Sequence, residues 1–259
     1  MITELDSVLC GFRGISLCEM ESAGLLDRVD AKYMINVDIL PILLKKVFDD
    51  YRILEIDNKR IFQYSTLYYD TDNDLLYSSH HNGKLNYTKI RYRKYVDSDI
   101  SFLEIKQKVK GIRTIKHRTR IKDIETTISD YAKEYIENNT PFQNIQLKPI
   151  IYTDFKRLTL VTHDMIERVT IDQDLVFRIN GTSHKLDNIA IIEIKRDVKP
   201  KNSILAHNLN KIRAYPDGFS KYCVGRAILE KKLKSNNFKE IFLNINKISN
   251  GKYNYRNIS

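Results

Sequence analysis

The chain has 259 residues, of which 42% are hydrophobic and 29% are charged, and its formal net charge is +10. This length allows one large domain or two small ones, and the apolar content is sufficient for a core. A basic chain favours anionic partners, namely nucleic acid, a membrane surface or a polyanionic small molecule. No apolar run reaches the roughly 18 residues that a membrane-spanning helix needs, which excludes that class.

Cysteine usage and the amino terminus indicate a cytoplasmic protein. The three cysteines are odd in number and lack zinc-site spacing, so we expect reduced thiols. Residues 1–6 are acidic and lack the positive region of a secretory signal. Because no Pro/Gly/Ser-rich linker divides the chain, we predict a single domain over 1–259. It would comprise a helical segment at 1–24, a main part at about 25–233 and a partly disordered Asn/Lys-rich tail at 235–259.

Hydrophobic periodicity predicts a chain dominated by strands, with helices at four places after the amino-terminal helical segment. In chain order the predictions are strand Arg28–Asn36, helix Val37–Tyr51, strand Arg60–Asp70, a hairpin turn at Asn82-Gly83, strands Leu85–Tyr95, Phe102–Lys108 and Ile112–Ile121, helix Ile124–Asn138, strands Ile150–Thr162, Ile166–Ile171, Val176–Ile179 and Ile189–Lys195, a helix from an Asn202 or Ser203 cap to about Arg213, and helix Lys221–Lys234.

Several of these strands carry charged residues two apart with apolar residues between them. The clearest is Lys89-Ile90-Arg91-Tyr92-Arg93, and Glu104-Ile105-Lys106 and Glu193-Ile194-Lys195 repeat the pattern. Alternate side chains of a strand point to one face, so each segment has one charged face and one apolar face. We therefore predict an α+β fold in which eight or more strands form a closed antiparallel barrel, with helices packed outside and a basic lumen. The alternative is that these are solvated faces of half-exposed sheets.

A basic lumen requires an anionic occupant, because clustered buried cations are unfavourable unless they are neutralised. Arginine suits phosphate because its planar fork binds two oxygens. Glu104 and Glu193 lie on the same faces and are candidates to hold Mg²⁺ or Mn²⁺ against phosphates. The candidate cations are Lys32, Arg91, Arg93, Lys106, Lys116, Arg118, Arg157, Arg168, Lys195 and Lys221. This equipment is typical of phosphoryl transfer, and the chain has no Gly-rich phosphate loop or metalloprotease motif.

An ordered set of short motifs resembles the catalytic domain of the vacuolar transporter chaperone (VTC) polyphosphate polymerases, within the triphosphate tunnel metalloenzyme superfamily. The motifs are Arg28-Val29-Asp30-Ala31-Lys32-Tyr33, Tyr68-Tyr69-Asp70-Thr71, Lys89-Ile90-Arg91-Tyr92-Arg93, Phe102-Leu103-Glu104-Ile105-Lys106, Arg168-Val169-Thr170-Ile171-Asp172, Ile192-Glu193-Ile194-Lys195 and Phe219-Ser220-Lys221-Tyr222. The resemblance covers roughly residues 12–232.

The resemblance implies an eight-stranded tunnel in which the γ-phosphate of ATP is transferred to a growing polyphosphate chain, with Mn²⁺ or Mg²⁺ as cofactor. Glu193 would be the metal ligand, with Glu104 as a second candidate. The attacking group would be a terminal phosphate oxygen, which needs no strong base. The residues assigned to catalysis are Lys32, Arg91, Arg93, Lys106, Arg157 and Arg168, and those assigned to phosphate binding are Lys116, Arg118, Lys195, Lys221 and Arg28.

Two departures from the family pattern accompany the resemblance. A second lysine, three residues before the one that matches Lys221, is replaced here by Gly218, which predicts a weaker grip at that tunnel mouth. The phosphate-sensing SPX domain and the membrane spans of some relatives have no counterpart, so coupling to translocation would require a separate membrane-protein partner.

Two other functions remain open. Hydrolases and cyclases of the superfamily usually begin with E-x-E-x-K, whereas the first strand here reads Arg28-x-Asp30-x-Lys32, which favours a polymerase over a triphosphatase. A non-catalytic module that binds polyphosphate in the lumen, or nucleic acid at an exterior basic patch, is the other alternative, but a pure anion binder gains nothing from Glu193. Double-stranded nucleic acid cannot thread an eight-stranded barrel, so we expect no nucleic-acid partner in the lumen.

Overall fold

The computed structural model describes residues 3–21, 28–111, 113–197 and 203–250. The strands are β1 Arg13–Ile15, β2 Arg28–Asn36, β3 Tyr51–Leu54, β4 Phe62–Asp70, β5 Tyr87–Tyr95, β6 Ile100–Val109, β7 Arg113–Ile121, β8 Lys148–Thr162, β9 Glu167–Ile179, β10 Thr182–Leu186 and β11 Ile189–Asp197. The helices are α1 Glu4–Cys10, α2 Leu17–Glu21, α3 Leu40–Lys45, α4 Leu75–His81, α5 Asp130–Asn138, α6 Ile204–Lys211, α7 Lys221–Leu229 and α8 Lys239–Ile248.

Eight strands form one continuous antiparallel ladder in the order β2-β11-β9-β8-β4-β5-β6-β7. β3 and β10 add to β8 and β9 at the side, and β1 pairs in parallel with β3. The predicted α+β class and the antiparallel eight-stranded sheet are confirmed. The predicted closure of the barrel is not seen, because no ladder joins β2 to β7 among the described residues. β7 carries a charged side chain at every second position from Lys116 to Arg120, which is typical of a strand left at a sheet edge.

The open sheet nevertheless curls until its two ends face each other. Lys32 on β2 and Lys106 on β6 are near opposite ends of the strand order. Burial, followed by the nearby Lys32 ammonium, lowers the pKa of Lys106, and Glu193 and Asp30 on the β2 side act on it as well. Charges at the two ends of the sheet therefore interact across an interior space, and the fold is tunnel-like.

Three helices, α3, α5 and α6, cover the outer face of the sheet, as predicted, whereas α7 lies against the opposite, charged face. Ile90 and Leu103, which alternate with the charged residues of β5 and β6, form one apolar cluster with Ala132 and Ile136 of α5. A second cluster joins the outer residues of β2 and β11 to α3 and α6. Fully burying side chains of this size contributes about 1.5–3 kcal/mol each, so packing on the helices fixes the charged face inward.

The amino-terminal part differs from the predicted helical segment. α1 and α2 are helices, but β1 lies between them and pairs with β3. The predicted helix Val37–Tyr51 is also too long, because a 3₁₀ turn at Val37–Ile39 leads into α3, which ends at Lys45. Tyr51 then starts β3, so tertiary pairing overrides the helical periodicity at both places.

The Asn82-Gly83 signal marks the end of a helix and not a hairpin. α4 connects β4 to β5, Asn82 caps it, and Gly83 has a φ of 64°, a left-handed conformation that favours glycine. α5 begins after the Ser129 cap, later than predicted, because Glu125 binds the backbone and hydroxyl of Ser129. Further along, the two strands predicted within 166–179 are one strand, β9.

The described part of the carboxyl-terminal tail contains a helix, α8, which ends at Ile248. α7 ends at Leu229, before the predicted Lys234. Phe238 and Phe242 then bury against the core, where α8 adds an amphipathic helix. Residues 251–259, the end of the tail predicted to be partly disordered, lie outside the described residues. Of the two predicted caps of α6, Asn202 also lies outside them, and Ser203 caps the helix as expected. No helix in the described part of the chain is long and apolar enough to cross a membrane.

α7 lies against β8 and β9 at unusually short range. A Cβ at Gly225 would stand 2.5 Å from Cδ1 of Phe177 and 2.8 Å from Cδ1 of Ile151, so only glycine permits this approach. The start of α7 is thereby held over the charged face of the sheet.

Candidate phosphate-binding tunnel

The charged side chains form rows across neighbouring strands, and cross-strand neighbours share one face of a sheet. Arg91, Glu104 and Arg118 are directly paired on β5, β6 and β7. Other pairs on the same inner face are Lys89 with Lys106, Lys106 with Lys116, Arg157 with Asp172, Lys32 with Glu193, and Lys195 with Arg168. The described side chains among the predicted site residues therefore share the inner face, which we call the tunnel face.

Glu104 is the anionic centre of the first cluster. Its carboxylate is 1% exposed and lies 2.6 Å from Nη2 of Arg91, 3.6 Å from Nη1 of Arg93 and 2.9 Å from Nζ of Lys116. Burial alone would raise its pKa, but the charges of Arg91, Arg93 and Lys116 outweigh burial and hold the pKa well below its usual range. Glu104 is therefore ionised and holds three phosphate-binding candidates together.

Asp172 is likewise the anionic centre of a second cluster, which contains two cations. Arg157 donates to it through Nε at 2.5 Å and Nη2 at 2.8 Å, and Lys221 of α7 forms a further ion pair with Oδ2. Burial opposes ionisation, but Arg157 and Lys221 lower the pKa of Asp172 overall. Each cluster thus consists of a buried carboxylate and cations from other elements.

Glu193 and Lys195 form the third charged group, on β11. They are bonded to each other and are about equally buried, with 17% and 15% of their side chains exposed. The pKa of Glu193 is low because Lys195, Lys32 and Arg157 overcome the effect of burial. The pKa of Lys195 falls to about 8, chiefly through burial.

The segment at the start of α7 joins distant parts of the sheet. Lys32 on β2 donates to the Phe219 carbonyl at 3.0 Å, and Lys89 on β5 donates to the Ser220 hydroxyl at 2.9 Å. Lys221 reaches Asp172 on β9. Residues 219–221 therefore close one side of the tunnel face and bring their own lysine into it.

The remaining predicted residues are placed less centrally. Arg168 donates through Nη2 to the Met20 carbonyl at 2.7 Å, which ties it to α2. Arg118 is exposed on the edge strand, with its guanidinium 4.7 Å from the centre of the Phe102 ring. Arg28 begins β2, and its side chain lies outside the described part of the structure.

Sequence reasoning missed four tunnel-face residues: Asp172, Lys89, Tyr68 and Ser220. All four lie in the motifs used to recognise the chain, and their positions on the strands carried the signal. Lys89 is two residues from Arg91, and Asp172 is four residues from Arg168, so each shares the face of a predicted cation. A strand motif does not show which side chains pair across the sheet, so the sequence does not single these residues out.

The tunnel face does not contain a ready-made metal cage. Among residues 3–21, 28–111, 113–197 and 203–250, no three His, Cys, Asp or Glu side chains cluster as metal ligands. Mg²⁺ and Mn²⁺ bound with phosphates use one or two carboxylates, together with substrate oxygens and water. Glu193 fits that requirement, since it is ionised and has one ion-pair partner, Lys195, among the described contacts. Glu104 fits less well because three cations surround it.

The fold and this face define an antiparallel, tunnel-like protein lined by cations and buried carboxylates. The chain matches the VTC domain family over residues 27–230 and belongs to that family. This match confirms the family that the motifs indicated.

Three solved structures that match this chain have low sequence identity to it. A candidate adenylate cyclase from Vibrio parahaemolyticus is 15% identical with a TM-score of 0.46, covering 76% of this chain and 97% of its own. A candidate adenylyl cyclase from Hippeastrum, described as having a dominant triphosphatase activity, is 12% identical with a TM-score of 0.49, covering 77% and 95%. The PH1819 protein from Pyrococcus horikoshii is 14% identical with a TM-score of 0.40, covering 78% and 98%. A comparison with curated proteins finds no match.

Proposed function

We propose that this protein is a metal-dependent polyphosphate polymerase that transfers the γ-phosphate of ATP to a polyphosphate chain held along the tunnel face. The observation that supports this most directly is the pair of buried carboxylate-cation clusters around Glu104 and Asp172. Both clusters place guanidinium groups on an inner face, where only a guest anion could compete with the resident carboxylate.

In this proposal the carboxylates hold the cations in position until phosphate arrives. Arg91, Arg93 and Lys116 converge on Glu104, and Arg157 and Lys221 converge on Asp172. Such fixed donors require little rearrangement when phosphate oxygens come within reach, and preorganised charge is the main source of catalysis in phosphoryl transfer. Lys32, Lys106, Arg168, Lys195, Arg118 and Arg28 would extend this binding surface along the sheet.

The metal role is assigned to Glu193, with Glu104 as the second candidate ligand. A bound Mn²⁺ or Mg²⁺ would neutralise charge on the transferred phosphoryl group. The protein's own task is then to align ATP and the acceptor chain. The acceptor oxygen of a terminal phosphate is already anionic near neutral pH, so the site needs no general base.

The test is to incubate the purified protein with ATP and Mn²⁺ and to separate the products on a gel stained for polyphosphate. The proposal expects a ladder of chains with matching ADP release. Release of phosphate without chains would indicate a triphosphatase instead. No ATP consumption, combined with tight tripolyphosphate binding, would indicate a non-catalytic binding module.

A further inference from the structure

Tyr68 is a tunnel-face residue to which neither the sequence motifs nor the family match assigns a role. It lies on β4, directly opposite Arg91 on β5, and its side chain is 4% exposed. Its neighbour Tyr69 points to the outer face, where it joins the α5 cluster. Tyr68 therefore places a phenol hydroxyl among the phosphate-binding candidates.

The hydrogen bonding of Tyr68 leaves its own proton available. Nη1 of Arg91 donates to the Tyr68 hydroxyl oxygen at 3.0 Å. A guanidinium has no acceptor, so the tyrosine hydrogen cannot be used in that bond. Within the described ranges this is the only hydrogen bond of the Tyr68 hydroxyl. A phosphate oxygen bound by Arg91 would supply the missing acceptor.

The charges around Tyr68 also favour an anionic guest. The Arg91 guanidinium lies 5.7 Å from the centre of the Tyr68 ring, and the charges of Arg93, Lys89 and Lys221 also act on the Tyr68 hydroxyl. Glu104 is the nearest carboxylate partner of Arg91. Burial would raise the pKa of Tyr68, but the charges of Arg91, Arg93 and Lys89 lower it to about 8.

The ring of Tyr68 is held in place by an aromatic residue of α7. It stacks on Tyr222 with ring centres 5.0 Å apart and an interplanar angle of 28°. The Tyr222 hydroxyl is bonded in turn to Asp70, which also accepts from Arg226 at 3.1 Å. Because Tyr222 directly follows Lys221, the same contact positions Tyr68 and the lysine relative to each other.

We propose that Tyr68 is a further phosphate-binding residue of the tunnel, whose hydroxyl donates a hydrogen bond to a phosphate oxygen held at the same time by Arg91. This inference rests on the proposed function, since it assumes that phosphate occupies the tunnel face. It adds a neutral donor to a site otherwise described by its cations.

The test is tripolyphosphate binding by calorimetry, without ATP or metal, for wild type, Tyr68→Phe, Tyr69→Phe and Arg91→Ala. Tyr68→Phe keeps the stacked ring and removes only the hydroxyl. Tyr69→Phe removes a buried hydroxyl from the outer face of the same strand and is the matched control. Because Tyr68→Phe removes a hydrogen bond to a charged group, we expect about tenfold weaker binding or more in Tyr68→Phe and no change in Tyr69→Phe.

A second readout does not depend on affinity. The difference in phenolate absorbance between wild type and Tyr68→Phe should show one tyrosine titrating near pH 8, and saturating tripolyphosphate should raise its pKa because a phenolate would face phosphate charge. Wild-type affinity in Tyr68→Phe with weakened Arg91→Ala would overturn the role of Tyr68 alone. Absence of wild-type binding, or full affinity in Arg91→Ala, would overturn the proposed function together with this inference.

Discussion

Arg157 binds Asp172 through two hydrogen bonds, of 2.5 and 2.8 Å, between neighbouring strands of the tunnel face. The Asp172 side chain is 3% exposed and the Arg157 side chain 14% exposed, so both are largely removed from water. Lys221 adds a second positive charge to the same carboxylate. The structure thus uses an internal anion where we propose that substrate phosphate binds.

Replacing that anion should make the protein depend on a guest anion for its stability. Asp172→Asn leaves Arg157 and Lys221 without a counter-charge, and breaking a buried pair in this way costs about 3–5 kcal/mol. Tripolyphosphate should restore much of that loss, so the increase in melting temperature on adding tripolyphosphate should be larger in the variant than in wild type.

The control is Asp154→Asn, which breaks the more exposed pair of Asp154 with Arg178. Exposed pairs contribute about 0–1 kcal/mol, so this variant should resemble wild type with and without tripolyphosphate. An equal tripolyphosphate response in the Asp172 and Asp154 variants would contradict the idea that phosphate competes with Asp172.

The buried lysines predict opposite effects of alkaline pH on binding and on stability. Burial lowers the pKa of Lys89 and of Lys195 to about 8, below the usual value of 10.5. Above pH 8 both lose charge, so tripolyphosphate affinity should fall. Between pH 8 and about 10.5 the unfolded chain holds more protons on these lysines than the folded one, so their contribution to the stability of the ligand-free protein should rise with pH.

Calorimetric titrations and urea unfolding at pH 7, 8 and 9 would measure both trends. Lys89→Met should bind tripolyphosphate more weakly at pH 7 and lose less affinity between pH 8 and 9. Lys156→Met, which removes a half-exposed lysine paired with Asp174, should keep the wild-type pH profile. An identical profile in all three proteins would remove Lys89 from the binding site.

Glu193→Gln should separate chemistry from binding. The substitution keeps the size of the side chain but removes the charge that a divalent cation requires. We expect loss of metal-dependent turnover of at least about a hundredfold, consistent with the loss of a key electrostatic group, while tripolyphosphate binding without metal stays the same or strengthens. The Asp154→Asn variant again serves as control, and full Mn²⁺-dependent turnover in Glu193→Gln would exclude Glu193 as a metal ligand.

The strands and their charged faces could be predicted because a period of two is a local signal. The predicted strand Arg28–Asn36 coincides with β2, and Lys32, Arg91 and Glu193 fall on one face for the same reason. The open seam between β2 and β7 could not be predicted, because ladder closure depends on the curl of the whole sheet. The same is true of β1, whose three residues become a strand only by pairing with β3.

The site was predictable as a set of cations but not as a set of pairs. Nothing local in the sequence shows that Lys221 meets Asp172, 49 residues earlier in the chain, or that Lys89 meets Ser220. Those contacts depend on how closely α7 approaches the sheet, which Gly225 permits. The sequence therefore predicts which residues line the site, but their pairing depends on long-range packing and is seen only in the structure.

Gly218 stands where the resemblance to the family implies a lysine. A Cβ at Gly218 meets no atom within 4 Å, so a side chain can be added without a clash. Gly218 lies next to Phe219, whose carbonyl binds Lys32, and close in sequence to Lys221. Gly218→Lys should therefore add a cation at this mouth and strengthen tripolyphosphate binding by about fivefold at low salt, the scale of one exposed ion pair.

Gly218→Gln is the matched control, since it adds a comparable side chain without charge and tests any effect on the backbone. The gain in Gly218→Lys should shrink as salt rises, because the added charge is exposed and screened. The unliganded Lys variant should also be slightly less stable than the Gln variant, since the new ammonium repels the lysines already gathered there. Equal affinity of the Lys and Gln variants at low salt would show that bound phosphate does not extend to this end of the tunnel face.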